Sequence, residues 1–157
     1  MNLYLVRHGD ASDHTEDEKR ELSATGFAQA RRLGEFLREA GVCFDAAYTS
    51  PLLRARQTAE TLLALTNTAQ PLAPHFAGAL LNATGVEDFH HWLGQLHGGT
   101  ILLVGHEPSL SERVRSLLSI SAPGAFTMKK AACACVHTRD GQRGELRCLL
   151  TPEQIGP

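Results

Sequence analysis

The 157-residue chain has no long apolar run, no excess of charge of either sign and only four cysteines. A membrane-spanning helix needs about 20 consecutive apolar residues, and no stretch here approaches that length. Fifteen Lys and Arg stand against 17 Asp and Glu, a formal charge of −2. No global field therefore favours nucleic acid or an anionic membrane surface, and any recognition of an anion has to be local. Neither GxxxxGK[ST] nor GxGxxG occurs, so the glycine-rich loops that cradle nucleotide phosphates are missing. Cys43, Cys133, Cys135 and Cys148 fit neither a zinc ribbon nor a CxxC pair. Reduced thiols are expected, and with them a cytoplasmic location. The apolar residues 2–6 have no basic leader, so no signal peptide is expected.

What is present is enough for one folded domain over residues 1–157. The chain is 43% apolar and 20% charged, which excludes a disordered chain. The apolar pattern alternates between strand and helix. Residues 3–6 read as a short buried strand. Ser23 is placed to cap a helix whose apolar stripe is Phe27, Ala30, Leu33, Leu37 and Ala40, with Gly41 as its stop. Residues 44–49 read as a second strand, after which Ser50 and Pro51 suggest an N-cap and first turn. Residues 66–80 carry Pro71, Pro74 and Gly78 and read as loop with at most a short edge strand. Val86, Phe89, Leu93 and Leu96 mark a third helix, ended by Gly98-Gly99. Residues 100–104 form a continuous apolar strand of the kind buried on both faces. Pro108 and Ser109 open a fourth helix, and residues 131–137 and 145–150 read as a terminal strand pair. The fold class is α/β: a three-layer α/β/α sandwich with a mostly parallel sheet.

In such sheets ligands bind beyond the carboxyl ends of the strands. Arg7 and His8 end the first strand, and His106 follows the strand 100–104. Arg54 lies at the start of the helix after the second strand, where helical side chains lean back toward the N-terminus. Two guanidiniums and two imidazoles then converge at one edge. Such a cluster calls for an anion, and planar guanidinium forks suit a phosphoryl group. A neutral imidazole is also a competent nucleophile, able to divide one hard displacement into two easier ones. Guanidiniums supply the positive charge a metal would give, so no metal or other cofactor is expected. His90, His91 and His97 lack the carboxylate or cysteine that would complete a metal site and are expected at the surface.

Leu5-Val6-Arg7-His8-Gly9 resembles the RHG signature of the histidine phosphatase (phosphoglycerate mutase-like) superfamily. The run from Ser50 to Ala59 resembles its second arginine motif, and Gly105-His106-Glu107-Pro108 its second histidine motif. Within that superfamily the chain is similar to the small SixA-type phosphohistidine phosphatases. The similarity lies in Arg7-His8-Gly9-Asp10-Ala11, Arg20-Glu21-Leu22-Ser23-Ala24-Thr25-Gly26 and Leu149-Leu150-Thr151-Pro152. The resemblance implies His8 as nucleophile, Arg7 and Arg54 as phosphate clamps and His106 as a further phosphate contact. It also suggests Arg20 and Asp10 as additional phosphate-site residues, and a domain without a cap insertion.

The implied activity is a metal-independent phosphatase acting on protein phosphohistidine. Its expected partner is a phosphohistidine-bearing protein of the histidine-phosphotransfer type, in a two-component phosphorelay. No nucleic-acid or membrane partner is expected, and a monomer is favoured. Two other readings stand beside it: a phosphatase or mutase for a small phosphate ester, and a silent module that binds phosphohistidine without turnover. One family feature has no clear counterpart, the carboxylic acid that protonates a leaving alcohol. The stretch 76–88 offers only Glu87 and Asp88, both at a helix start where they complement the dipole, and Asp10 is the other candidate. Imidazole leaves far more readily than an alkoxide, so a phosphohistidine substrate needs less from such an acid.

Overall fold

The computed structural model describes residues 1–156; Pro157, the last position of the expected domain, lies outside the described residues. In chain order the elements are β1 (Asn2–Arg7), α1 (Ala24–Glu39), β2 (Ala46–Thr49), α2 (Leu53–Thr66), β3 (His75–Phe76), α3 (Val86–Leu93), β4 (Thr100–Gly105), α4 (Ser109–Leu117), β5 (Cys133–Thr138) and β6 (Gly144–Leu150). They form a six-stranded sheet in the order β3-β2-β4-β1-β5-β6. β1, β2, β3 and β4 pair in parallel, while β5 and β6 run antiparallel, as the expected terminal pair.

Alternate residues of the central strands feed two cores. Leu3 and Leu5 of β1 join Ile101 and Leu103 of β4 against Phe89, Leu93, Leu110, Val114 and Leu117 from α3 and α4. Val6, Leu102 and Val104 point the other way, onto Leu33 and Leu37 of α1 and Ala55, Ala59 and Leu62 of α2. With both faces covered, β4 has no place for a polar residue along residues 101–104, which explains its unbroken apolar run. β1 and β4 are neighbours, yet the helix after β1 packs on one face and the helix after β4 on the other. Their carboxyl ends therefore form a crevice of the kind open α/β sheets use for ligands.

Some element ends differ from expectation. α2 begins at Leu53, with Leu52 in the cap position and no side-chain cap; the Ser50 hydroxyl is spent on His106 instead. α3 stops at Leu93 with Gly94 as its C-cap, so His97 is not on it. Ala40 is exposed, and the α1 stripe is completed by Gly26 and Gly34. His90, expected at the surface, is buried. Its Nδ1 bonds the Gly141 carbonyl at 2.8 Å and its Nε2 the Ser116 hydroxyl at 2.8 Å, so it ties α3 to α4 and to the β5–β6 turn.

Ser23 does cap α1, accepting from the Gly26 N–H at 3.0 Å. At this point the chain after β1 crosses the helix so closely that neither strand has room for a side chain. A Cβ on Gly26 would sit 1.9 Å from the Asp10 carbonyl oxygen, and one on Gly9 2.7 Å from that of Gly26. Both obstacles are backbone. Gly26→Ala is expected to cost about 1–3 kcal/mol, read from urea unfolding; a loss below about 0.5 kcal/mol would show that the crossing yields easily.

Candidate active site

The parallel register builds the site. Arg7 pairs with Gly105 and Thr49 with Val104, so the residues that follow emerge side by side. The His8 N–H donates to the Gly105 carbonyl at 3.1 Å, and the Ser50 N–H to that of Val104 at 3.1 Å. His8 and His106 consequently face each other, with ring centroids 4.9 Å apart at 52°. Ser50 Oγ lies 2.5 Å from His106 Nε2. His8, His106 and Arg54 are all buried.

The tautomer of His8 follows from its partner. Nδ1 lies 2.6 Å from the Gly9 carbonyl, which can only accept, so Nδ1 carries the proton and Nε2 keeps its lone pair. Burial, chiefly, holds the ring neutral, lowering its pKa to about 4, and the Arg54, Arg7 and Lys130 charges act in the same direction. His106 is lowered to about 3, again first by burial and then by His8 and Arg54. Two neutral imidazoles thus stand among guanidiniums.

Arg54 reaches the edge from the first turn of α2, as its position in the chain led us to expect. On the same helix face Thr58 accepts from the Gly9 N–H at 3.1 Å and donates to the Arg54 carbonyl at 2.8 Å. Gln57 accepts from the Leu22 N–H at 2.7 Å. Neither residue was singled out from sequence, although Thr58 is one helical turn from Arg54 and shares its face. Arg7 donates from Nη1 to the Met128 carbonyl at 2.8 Å. Glu107 supports that contact from behind, since its Oε1 accepts from the Met128 N–H at 3.0 Å and from Ser111 at 2.5 Å. No local pattern links residues 7, 107 and 128, and only the fold brings them together.

The two further candidates are placed differently. Asp10 accepts from Ser23 at 2.6 Å and pairs with Lys130; these two bonds, Lys130 foremost, hold its carboxyl below the usual range. Arg20 stays within its own loop, donating from Nε to the Ser12 carbonyl at 3.1 Å and pairing with Asp17 at 3.4 Å. The structure brings it to Asp17 rather than to His8. Asp17, which sequence reading passed over inside a charged loop, meets Arg54 directly: Nη2 donates to its carboxylate at 3.0 Å and Nη1 to its carbonyl at 2.7 Å. Glu87 and Asp88 are exposed in the first turn of α3.

A further missed residue lies behind the crevice. Arg113 is fully buried, with its guanidinium 4.9 Å from the Phe89 ring centre, and burial pulls its pKa down to about 10. It donates to the carbonyls of Leu81 at 2.7 Å and Thr84 at 3.2 Å. The loop so held carries Asn82, which donates to the Glu107 carbonyl at 2.7 Å and accepts from Ser109 at 2.7 Å. Arg113 therefore shapes the wall beside His106.

Among the described residues, Arg7 Nε, Arg54 Nε and His106 Nδ1 at the crevice, and Arg113 Nε and Nη1 behind it, are buried without a hydrogen-bond partner. Each such group costs about 1–3 kcal/mol if left unsatisfied, and the three at the crevice suit a multivalent oxyanion. The arrangement is that of an α/β protein with two imidazoles and two guanidiniums gathered at the carboxyl edge of its parallel strands. A profile of the histidine phosphatase superfamily (branch 1) matches residues 3–76. An uncharacterized protein of Picosynechococcus sp. is 35% identical over 174 aligned residues that cover all of both chains. Phosphohistidine phosphatase SixA of Escherichia coli K12 is 27% identical over 97% of this chain and 94% of its own. The structure of the protein histidine phosphatase SixA complexed with tungstate superposes with a TM-score of 0.89, at 25% identity, over 99% of this chain and 100% of that one. This chain belongs to the histidine phosphatase superfamily.

Because its folded pKa lies below the ordinary histidine value, the His8 ring stays neutral, with a free Nε2 lone pair, from neutral pH down to about 4 and is protonated below that. An NMR titration of the His8 ring should give a midpoint near 4. Arg54→Met should raise that midpoint only in part, because burial is the larger cause. A midpoint near the ordinary histidine value of about 6.5 would show the ring to be solvated.

Proposed function

We propose that this phosphatase hydrolyses phosphohistidine carried by a protein, through a covalent intermediate on His8 Nε2. The reading rests on one observation: the carboxylates around the site are all engaged. Asp10 is held by Lys130 and Ser23, Asp17 by Arg54, and Glu107 by Ser111 and the Met128 N–H. The first two are also pulled below their ordinary pKa by those partners. None is poised to deliver a proton to an alkoxide, whereas an imidazole leaving group needs far less help.

In the first step the Nε2 lone pair forms a bond to phosphorus as the P–N bond to the substrate imidazole breaks. The released imidazole takes its proton from solvent. In the second step water attacks phospho-His8, giving inorganic phosphate and restoring neutral His8. Arg7 and Arg54 stabilise the phosphoryl oxygens, with His106 as a further donor. Two strand-to-helix connections at this edge are short, residues 50–52 and 106–108, while the one after β1, residues 8–23, is long and carries Asp17; the two short ones leave room for a side chain presented by another protein. A histidine-phosphotransfer domain of a phosphorelay fits that requirement.

A side-by-side turnover assay in EDTA tests the proposal, comparing a phosphohistidine protein with aryl and alkyl phosphates of graded leaving-group basicity. Phosphohistidine should react fastest and alkyl phosphates slowest, with a steep dependence between them. His8→Ala should abolish turnover with the fold intact. Arg54→Lys should lose on the order of 10²–10³ in rate, since an ammonium cannot make the fork contact. A flat dependence on the leaving group would instead identify a working general acid and a small-ester substrate.

A further inference from the structure

The contact between Asp17 and Arg54 places a carboxylate of the protein itself on one of the guanidiniums assigned to the phosphoryl group. Arg54 is 8% exposed and Asp17 62% exposed, so a buried cation is covered by an anion that solvent can reach. Two of the five N–H groups of the guanidinium point at Asp17, one to the carboxylate at 3.0 Å and one to the carbonyl at 2.7 Å. Nε stays buried and unpaired. Arg20 pairs with the other carboxylate oxygen at 3.4 Å while holding the Ser12 carbonyl, so the loop of residues 12–21 is braced with Asp17 turned inward. Asp17 opens a single 3-10 turn, Asp17–Lys19, that buries no residue, and its neighbouring Lys19–Glu16 pair is exposed, so no core packing fixes the contact from that side.

We propose that Asp17 competes with the incoming phosphoryl group for Arg54, and that this competition sets how tightly the site holds phosphate anions. A carboxylate and a phosphoryl oxygen ask for the same Nη donors, and both charges cannot share them without repulsion. As the phosphoryl group arrives, Asp17 turns out to solvent and takes its hydration back. As inorganic phosphate leaves, Asp17 returns and neutralises Arg54. The exchange would weaken the hold on product, which carries the same oxyanion as substrate, and so shorten product residence. The inference rests on the reading of this site as a phosphatase centre, but its test is separate.

Inorganic phosphate is titrated by calorimetry into the intact wild-type chain, Asp17→Asn, Asp17→Glu and Arg54→Met. The asparagine removes the charge, keeps the shape and leaves the main-chain contact in place. Asp17→Asn should bind phosphate on the order of tenfold more tightly, Asp17→Glu should stay near wild type, and Arg54→Met should lose binding. In the wild type, saturating phosphate should also speed amide hydrogen exchange in residues 12–21. Unchanged or weaker binding in Asp17→Asn, with wild-type binding still dependent on Arg54, overturns the proposal and leaves the phosphatase reading standing. Loss of phosphate binding in both chains overturns the two together. Tighter binding in Asp17→Asn without phosphohistidine turnover keeps the competition and removes only the substrate assignment.

Discussion

The two histidines of the site depend on the pairing of β1 with β4. The two strands run parallel in continuous register from Asn2 against Thr100 to Arg7 against Gly105, and the next residue on each side of that last pair is a histidine. A shift of one residue would turn every side chain of β1 to the opposite face. Leu3 and Leu5 would leave one core and Val6 the other, so the register is specified by apolar burial on both sides of the sheet. The energy that fixes the nucleophile opposite His106 is thus the packing energy of residues with no part in the chemistry. β2 joins the same frame through Thr49 and delivers Ser50 to His106.

On this frame the electrostatics are deliberately unbalanced. Arg7, Arg54 and Lys130 all act to keep His8 neutral, while Asp10 and Asp17 are drawn off to Lys130 and Arg54. Burial does more than any of these charges to keep both imidazoles unprotonated. The result is a nucleophile available at neutral pH beside cations that favour an anionic group, with neutral imidazoles avoiding the repulsion that imidazoliums would add.

The sheet and the four principal site residues were legible because they obey local rules. Apolar runs marked β1 and β4, the spacing of three and four marked the helices, and chain position alone sent Arg7, His8, Arg54 and His106 to one edge. What escaped is non-local. The path from Glu107 through Met128 to Arg7 joins residues far apart in the chain, and the charged loop holding Asp17 gives no periodic signal at all. His90 and Arg113 were hidden for another reason. Polar side chains are usually solvated, and only the completed fold shows His90 bonded at both ring nitrogens and Arg113 held through Nη2 by two carbonyls and stacked over Phe89. Ser50 resembles a helix cap in sequence because the same hydroxyl chemistry serves either purpose, and the proximity of His106 decided between them.

The close backbone crossing between Gly9 and Gly26 has a consequence for how binding energy is used. With no side chains between them, the turn that carries His8 and the start of α1 move as one body, and the Gly9 N–H is fastened to Thr58 as well. His8 is therefore set in place by the fold itself, and no binding energy need go to ordering it. On the function proposed above, the bulk of the phosphorylated molecule would govern how often it is captured, while the rate once captured would belong to the phosphoryl group and its leaving atom. Under that proposal, carriers of very different shape would be served by one site at a common chemical pace.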